Sequence, residues 1–375
     1  MKEGWEYKKF EECVVKIPKQ KQVKSKDYLP FGIYPVVSQE QELISGYYND
    51  ISYVYKHSKP IVVFGDHTKN IKFIDFDFVV GADGTHILKT IDKIETKFFY
   101  YTLKSIKLEN LGYARHFKLL KREVIGFPSL DQQRRIVSYL DSSFQLIDKI
   151  KEKAQKSLSE AKALFQSALA EAMEPKEGWE EKTLGEIAND SADGPFGSNL
   201  KKEHYTSNRE VRIIQLSNIG EDGWREENTK YTTFKHLNNI SRSEVHPGDI
   251  VIAKMMPAGR AILCPDKEQK YVLSSDAVKI VLKKGYYNRY FLYSINSDYF
   301  RIQVYENVSG SGRVRTSLTK LRNCIVRIPP LSTQHQIVSH LDKLSSNVKQ
   351  MEEKYQKIVE ECDALKQAML RDVFE

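Results

Sequence analysis

Pro128–Asp141 reads PSLDQQRRIVSYLD, and Pro329–Asp342 reads PPLSTQHQIVSHLD, 201 residues later. Each opens a stretch without Gly or Pro, 132–173 and 333–375. A proline closing an extended segment before such a run is a natural helix start. In the second run the apolar positions are Ile337, Leu341, Leu344, Val348, Met351, Tyr355, Ile358, Cys362, Leu365, Met369 and Val373. Their spacing alternates 4 and 3 nearly throughout, the mark of a heptad seam. The same register in the first run gives Ile136, Leu140, Ser143, Ile147, Ile150, Ala154, Ser157, Ala161, Leu164, Ala168 and Ala172, with Phe144, Leu158 and Phe165 adding bulk beside it. Small residues in one seam can face large ones in the other.

A helix of about 40 residues is ~60 Å long and would overhang a small domain. Antiparallel pairing of the two resolves this, with one globular segment at each end. KEGWE at Lys2–Glu6 recurs at Lys176–Glu180, an offset of 174 residues. The chain is therefore two copies of one plan, and the second globular segment is about 27 residues longer. The expected class is α+β, with a first globular domain over 1–127 and a coiled-coil helix over 128–174. A second domain over 175–328 and a second helix over 329–375 follow, the whole pseudo-twofold.

With 375 residues, 41% hydrophobic and 11% aromatic, each half can bury a core. A net charge of +8 fits a nucleic-acid partner without requiring one. Cys13, Cys264, Cys324 and Cys362 form no CxxC or Cys/His pair, so no disulfide framework or zinc site is legible. That usage suits a reducing cytosol, and a cytoplasmic protein is expected. No run of ~18 apolar residues marks a membrane span, and the N-terminus is too charged for a signal peptide.

In the first globular segment, Ile33–Ser38, Tyr53–Lys56, Pro60–Asp66 and Ile71–Gly84 read as strands broken by turns, and Ile94–Ile106 as a helix. Lys16, Lys19, Lys21, Lys24 and Lys26 form a basic run, and YARHFKLLKR closes the segment. In the second, Val211–Gly220 reads as a strand then a turn, His246–Met255 as a turn followed by a buried strand, Tyr271–Leu282 as a strand, and YNRYFLYSINSDYFRIQVYE as a helix. SGSGRVRTSLTKLR, Ser309–Arg322, then occupies the place that YARHFKLLKR holds in the first. Gly310 and Gly312 allow close backbone approach to a surface. Arg313 and Arg315 offer planar forks for guanine or phosphate. Ser311 and Thr316 can bond phosphate oxygens.

Candidate nucleic-acid contacts are thus Arg115, His116, Lys118 and Lys121 in the first segment, and Ser311, Arg313, Arg315, Thr316 and Lys320 in the second. His67 and Lys69, in GDHTKN, and Lys201 and Lys202, after a Gly-rich loop, form a second tier. No catalytic or metal site is assigned. There is no GxxxxGK[ST] and no Gly-rich dinucleotide or methyl-donor loop after a strand. Glu95 and Lys97, with Asp92 or Asp83 upstream, match the sparse pattern of a metal nuclease, although Glu95 and Lys97 open an expected helix. Asp66, His67 and Asp276 could serve as bases or metal ligands but are isolated.

The duplication, GADGTHIL (Gly81–Leu88), GYARHFKLL (Gly112–Leu120), GDIVIAKM, SGSGRVRTSLTKLR and the two helix-start motifs resemble the DNA specificity subunits of type I restriction–modification systems. That resemblance covers essentially the whole chain. It implies two target recognition domains, each reading half of a split duplex DNA site, and an antiparallel coiled coil acting as spacer. It also implies docking of two methyltransferase subunits and of restriction subunits. Catalysis, with S-adenosylmethionine, ATP and magnesium, would belong to those partners, and this chain would carry no cofactor and touch no membrane. The rival readings are a specificity module paired with a fused methylase–nuclease, a single-chain metal nuclease, and a scaffold without a DNA role.

Overall fold

The computed structural model describes residues 2–109, 112, 114–255, 257–306 and 315–375. The chain divides into two compact units, Met1–Lys156 with Lys354–Glu375, and Ser157–Glu353. The two long helices are present as expected, at Leu130–Ala172 and Leu331–Phe374, and each begins in one unit and ends in the other.

The first unit is closed by a two-stranded ribbon, Glu6–Lys9 antiparallel to Val124–Phe127. A four-stranded antiparallel sheet follows, in the order Val14–Val15, Thr85–Thr90, Ile61–Gly65, Ile71–Ile74. A mixed sheet is organised around Phe78–Gly81, with Gln22–Val23 and Tyr34–Val37 parallel to it. Ile61–Gly65 and Phe78–Gly81 are buried throughout, as their unbroken apolar runs require. Phe10, Val62, Phe64, Leu88, Phe98 and Phe99 form the core between the antiparallel sheet and the helix Thr96–Ser105.

The second unit repeats the plan. Glu180–Thr183 pairs antiparallel with Ile325–Ile328. Ala188–Asp193, Ala277–Leu282, Ile250–Ala253 and Ala261–Leu263 form the antiparallel sheet. Its mixed sheet has Val211–Ile214 parallel to Tyr271–Leu273. Two expectations change here. Tyr271–Leu282 is two strands in different sheets, because SSD at Ser274–Asp276 carries the chain across from one to the other. The expected helix after Tyr287 is two, Asn288–Asn296 and Asp298–Glu306, parted at Ser297, whose hydroxyl donates to the Ser294 carbonyl. A serine that bonds the backbone behind it competes with helix propagation.

Within each unit the long-helix segments run antiparallel. In the first, Lys366 reaches Asp148 at 2.6 Å and Lys151 reaches Asp363 at 2.9 Å. In the second, Lys162 reaches Glu352 at 2.5 Å. Leu140 and Leu370 are buried against Tyr101 in the first, and Leu169 and Leu341 lie in the second unit's core. The expected seam of the second helix holds except at Leu365, which is exposed. In the first helix Ile150 and Leu164 are exposed, while Leu158 is buried and Phe165 partly so. Copying a register between helices ignores the drift of a 3.6-residue turn against a 3.5-residue repeat.

The repeated motif performs the same task twice. Buried Gln133 donates from Nε2 to the carbonyls of Pro128 (2.8 Å) and Lys93 (3.0 Å) and accepts from the Glu95 N–H (2.8 Å). Gln334 donates to the Pro329 carbonyl (2.9 Å) and accepts from the Tyr287 N–H (3.2 Å). Asp141 receives the Tyr101 hydroxyl at 2.5 Å and Lys97 at 2.7 Å. Asp342 receives the Tyr293 hydroxyl at 2.6 Å and Arg289 Nε on both oxygens. Burial raises the Asp342 pKa, but Arg289 and Tyr293 outweigh it and hold the carboxyl below the usual range. Lys2 Nζ donates to the Asp372 and Val373 carbonyls, satisfying the end of the second long helix.

All four cysteines are buried free thiols. Burial pushes the Cys13 and Cys324 thiols up to about 11 and raises Cys264 further. Among the described residues no helix is long and apolar enough to cross a membrane.

Candidate nucleic-acid interface

The basic stretch ending each globular segment is held at one backbone station in both units. In the first, Asp66 N–H donates to the Gly84 carbonyl (2.7 Å) and His116 N–H to the Asp66 carbonyl (2.9 Å). In the second, Lys254 N–H donates to the Asp276 carbonyl (2.8 Å) and Thr316 N–H to the Lys254 carbonyl (2.9 Å). These bonds equate His116 with Thr316 and Arg115 with Arg315. Each stretch then enters a short helix, Phe117–Leu120 or Leu318–Asn323, anchored by fully buried Leu120 or Leu321.

At that station the two arginines project. The Arg115 side chain is 79% exposed, 3.9 Å from Asp66. The Arg315 side chain is 54% exposed, 3.2 Å from Asp276. Their neighbours point inward. His116 is fully buried, and its Nδ1 donates to the Asp66 carbonyl at 3.0 Å. Thr316 is buried as well. Both are therefore placed to fix the loop, and the arginine before each is placed to reach a ligand.

Asp66 organises the first station. Its Oδ1 accepts from the Phe117 N–H at 2.8 Å. His86 Nε2 stands 3.3 Å from Oδ2, close enough for attraction but without hydrogen-bond alignment. The His86 ring stacks on Phe117 at 3.9 Å. Burial raises the Asp66 pKa, yet the Phe117 N–H and His86 more than offset it and keep the carboxyl below its ordinary value. A cleft of about 500 Å³ opens beside it, lined by Lys19, Gln20, Gln22, Asp83, His86 and Arg115 among others. Gln20 and Gln22 were not singled out from sequence. They join Arg115 only because Gln22–Val23 pairs with Phe78–Gly81, a long-range contact with no local signature.

The remaining candidates are spread around these stations. Lys118 and Lys121 are exposed, the latter paired with Glu11 at 3.0 Å. His67 and Lys69 lie in the turn after Ile61–Gly65, with the Lys69 N–H donating to the Gly65 carbonyl at 2.9 Å and φ at 59°. The His67 N–H donates to Gln39 Oε1 at 3.1 Å. Lys201 and Lys202 are exposed, Lys201 lying 3.8 Å from Glu203. Lys320 is partly exposed on Leu318–Asn323. Ser311 and Arg313 lie outside the described residues.

The metal-nuclease pattern does not converge. Asp83 lines the cleft by Arg115, whereas Glu95 caps the helix Thr96–Ser105 through the Phe98 N–H (2.6 Å) and Lys97 is engaged with Asp141. Asp276 is engaged by Arg315.

The sequence matches the family described as type I restriction modification DNA specificity domain over residues 2–159 and 176–360. The specificity subunit of the type I restriction enzyme EcoR124I/EcoR124II of Escherichia coli is 24% identical over 341 residues, which span 86% of this chain and 82% of that relative. One chain of a solved type I R-M system, described for its complex assembly and conformational transition, superposes with a TM-score of 0.70 at 17% identity, covering 98% of this chain and 97% of its own. The HsdS subunit from Thermoanaerobacter tengcongensis gives a TM-score of 0.51 at 17% identity, covering 100% and 97%. The chain belongs to the type I restriction–modification DNA specificity family.

Proposed function

We propose that this specificity subunit recognises a bipartite duplex DNA site, one half through each globular segment. The observation that carries the reading is the shared backbone station, which presents an exposed arginine, Arg115 or Arg315, in each unit. Lysines around each station neutralise phosphates and supply salt-dependent affinity without sequence preference. The arginine forks read base edges in the major groove, guanine O6 and N7 best of all. The stations differ in their surrounding side chains, so the two half-sites differ.

In this reading the paired long helices are the spacer and the mount for two methyltransferase subunits, to which restriction subunits add. Chemistry, with S-adenosylmethionine, ATP and magnesium, resides in those partners. The chain itself recognises and positions.

The test is a map of methylated sites in cells that carry the chain with its partner subunits. A split motif with an unspecified middle is expected. Lengthening both long helices by one turn should widen the unspecified gap and leave both halves intact. A continuous motif, or altered halves with an unchanged gap, would refute the proposal.

A further inference from the structure

Each unit holds one phenylalanine almost entirely in solvent. Phe31 is 85% exposed and Phe196 is 80% exposed. Both stand in the same tripeptide, Pro30-Phe31-Gly32 and Pro195-Phe196-Gly197. Full burial of such a ring is worth about 1.5–3 kcal/mol, so its display in water is a cost that each globule carries without return in its own core.

The backbone that carries the ring is held in both. In the first unit the loop is clamped on either side of the ring. Leu29 and Tyr47 exchange two backbone hydrogen bonds at 2.9 Å, and the Ile33 N–H donates to Asn49 Oδ1 at 2.9 Å. A Cβ on Gly32 would fall 2.8 Å from the Tyr47 Cβ, so the backbone is pressed onto its neighbour. In the second unit the Gly194 N–H donates to the Ala277 carbonyl at 2.9 Å, and a Cβ on Gly194 would lie 1.7 Å from the Ser274 carbonyl oxygen. Pro195 is buried, and the Asn199 N–H closes the turn on the Phe196 carbonyl at 2.7 Å. With the backbone on either side already held, only the rotation of the ring about its own side-chain bonds is left to lose on binding, which favours a recognition role.

The surroundings point to a polyanion with an apolar interior. Lys24 and Lys26 lie in the chain just before Phe31, and Lys201 and Lys202 just after Phe196, all four exposed. Residues 196–199, which include Ser198 and Asn199, are exposed and polar apart from the ring, so Phe196 stands alone on a hydrophilic tip. A protein partner needs a broad apolar patch around such an anchor, which Phe196 lacks, whereas Phe31 has the exposed Leu29 and Ile33 beside it in the chain, and its assignment rests on the tripeptide it shares with Phe196. A base step needs one flat apolar side chain between flanking cations.

We propose that Phe31 and Phe196 are apolar wedges, each inserted at a base step of its own half-site, with the neighbouring lysines on the flanking phosphates. This rests on the DNA-reading function proposed above. It adds a second mode of recognition, through the ease with which a step unstacks, to the arginine readout of base edges.

The test uses the full chain assembled with its partner subunits, and duplexes bearing the mapped site with 2-aminopurine placed at successive steps. Wild-type complex should raise fluorescence at one step in each half, and should bend the duplex in a gel-mobility assay. Phe196→Ala should abolish the rise in one half only and weaken specific binding about tenfold or more, with the slope of affinity against salt unchanged. Phe31→Ala should do the same in the other half. Lys201→Ala with Lys202→Ala should instead flatten the salt slope. Phenylalanine variants that bind and unstack like wild type, while the lysine variant weakens, overturn the wedges and leave the DNA-reading function standing. Variants that keep DNA binding but shed a partner subunit also overturn them. A wild-type complex with no preference for the mapped site would overturn the underlying reading.

Discussion

The two backbone stations share a hydrogen-bond pattern and carry opposite chemistry. Where the first unit buries Asp66, attended by His86 and Arg115, the second buries Lys254, paired with Asp193 at 2.7 Å. The next layer compensates: Gly84 at the first station is replaced by Asp276 at the second, which receives Arg315. By contrast, the frame is repeated nearly residue for residue, with Gln133 matched by Gln334, Asp141 by Asp342 and Tyr101 by Tyr293. Architecture is thus held by backbone bonds and by a few buried polar side chains at the helix starts. The interior charge of each head is free to change sign provided that its partner changes too.

That contrast can be broken most forcefully at the helices. Leu140→Ala and Leu341→Ala remove fully buried side chains and should each cost about 2–5 kcal/mol, measured by chemical denaturation. Hydrogen exchange should show loss of protection starting in the first unit for the former and in the second for the latter. Uniform loss from either change would mean that the units do not unfold separately.

The glutamines sharpen the comparison. Gln133 satisfies three backbone groups and Gln334 two. Each buried group left without a partner costs about 1–3 kcal/mol. Gln133→Ala should therefore destabilise more than Gln334→Ala, and the reverse order would show that water replaces the lost bonds in the first unit.

At the stations, Arg115→Ala and Arg315→Ala should each relax one half of the site, by about 1–3 kcal/mol of discrimination. Mapping of methylated sites would read this directly, and relaxation of both halves by one substitution would contradict separate reading heads.

The smallest effect is on pH. Asp66 has a folded-state pKa below its unfolded value of about 3.9. Its contribution is therefore complete above that value and fades as pH falls through the lower folded value. Asp66→Asn should be destabilised at neutral pH, with the gap to the parent narrowing below about pH 4. A gap that stays constant into acid would show that the carboxylate charge is not what holds Phe117 and His86.

Much of the frame was readable in the sequence because helices of this length expose their period and because the duplication doubled every signal. The seam failed at Ile150 and Leu164 in the first helix and at Leu365 in the second, because a fixed heptad drifts against the 3.6-residue turn. Strand boundaries failed at Ser274–Asp276, where a polar turn between two apolar runs moves the chain between sheets. At the candidate interface, residue type alone selected His116 and Thr316, which are buried, together with Arg115 and Arg315, which are exposed. Composition does not tell inward from outward on a loop, where no periodicity sorts the side chains. The cleft residues Gln20 and Gln22 depend on a pairing between distant strands.

The sequestered sulfurs give the chain a practical property. With Cys13, Cys264, Cys324 and Cys362 all enclosed, and thiolate being the form that attacks electrophiles, the native protein should take up maleimide only slowly. A cysteine introduced on a solvent-facing turn of either long helix, at Leu164 or Leu365 for instance, would become a selective handle for a fluorophore or spin label. Distances across the molecule in solution, with and without a DNA duplex, could then be followed without first stripping the native thiols.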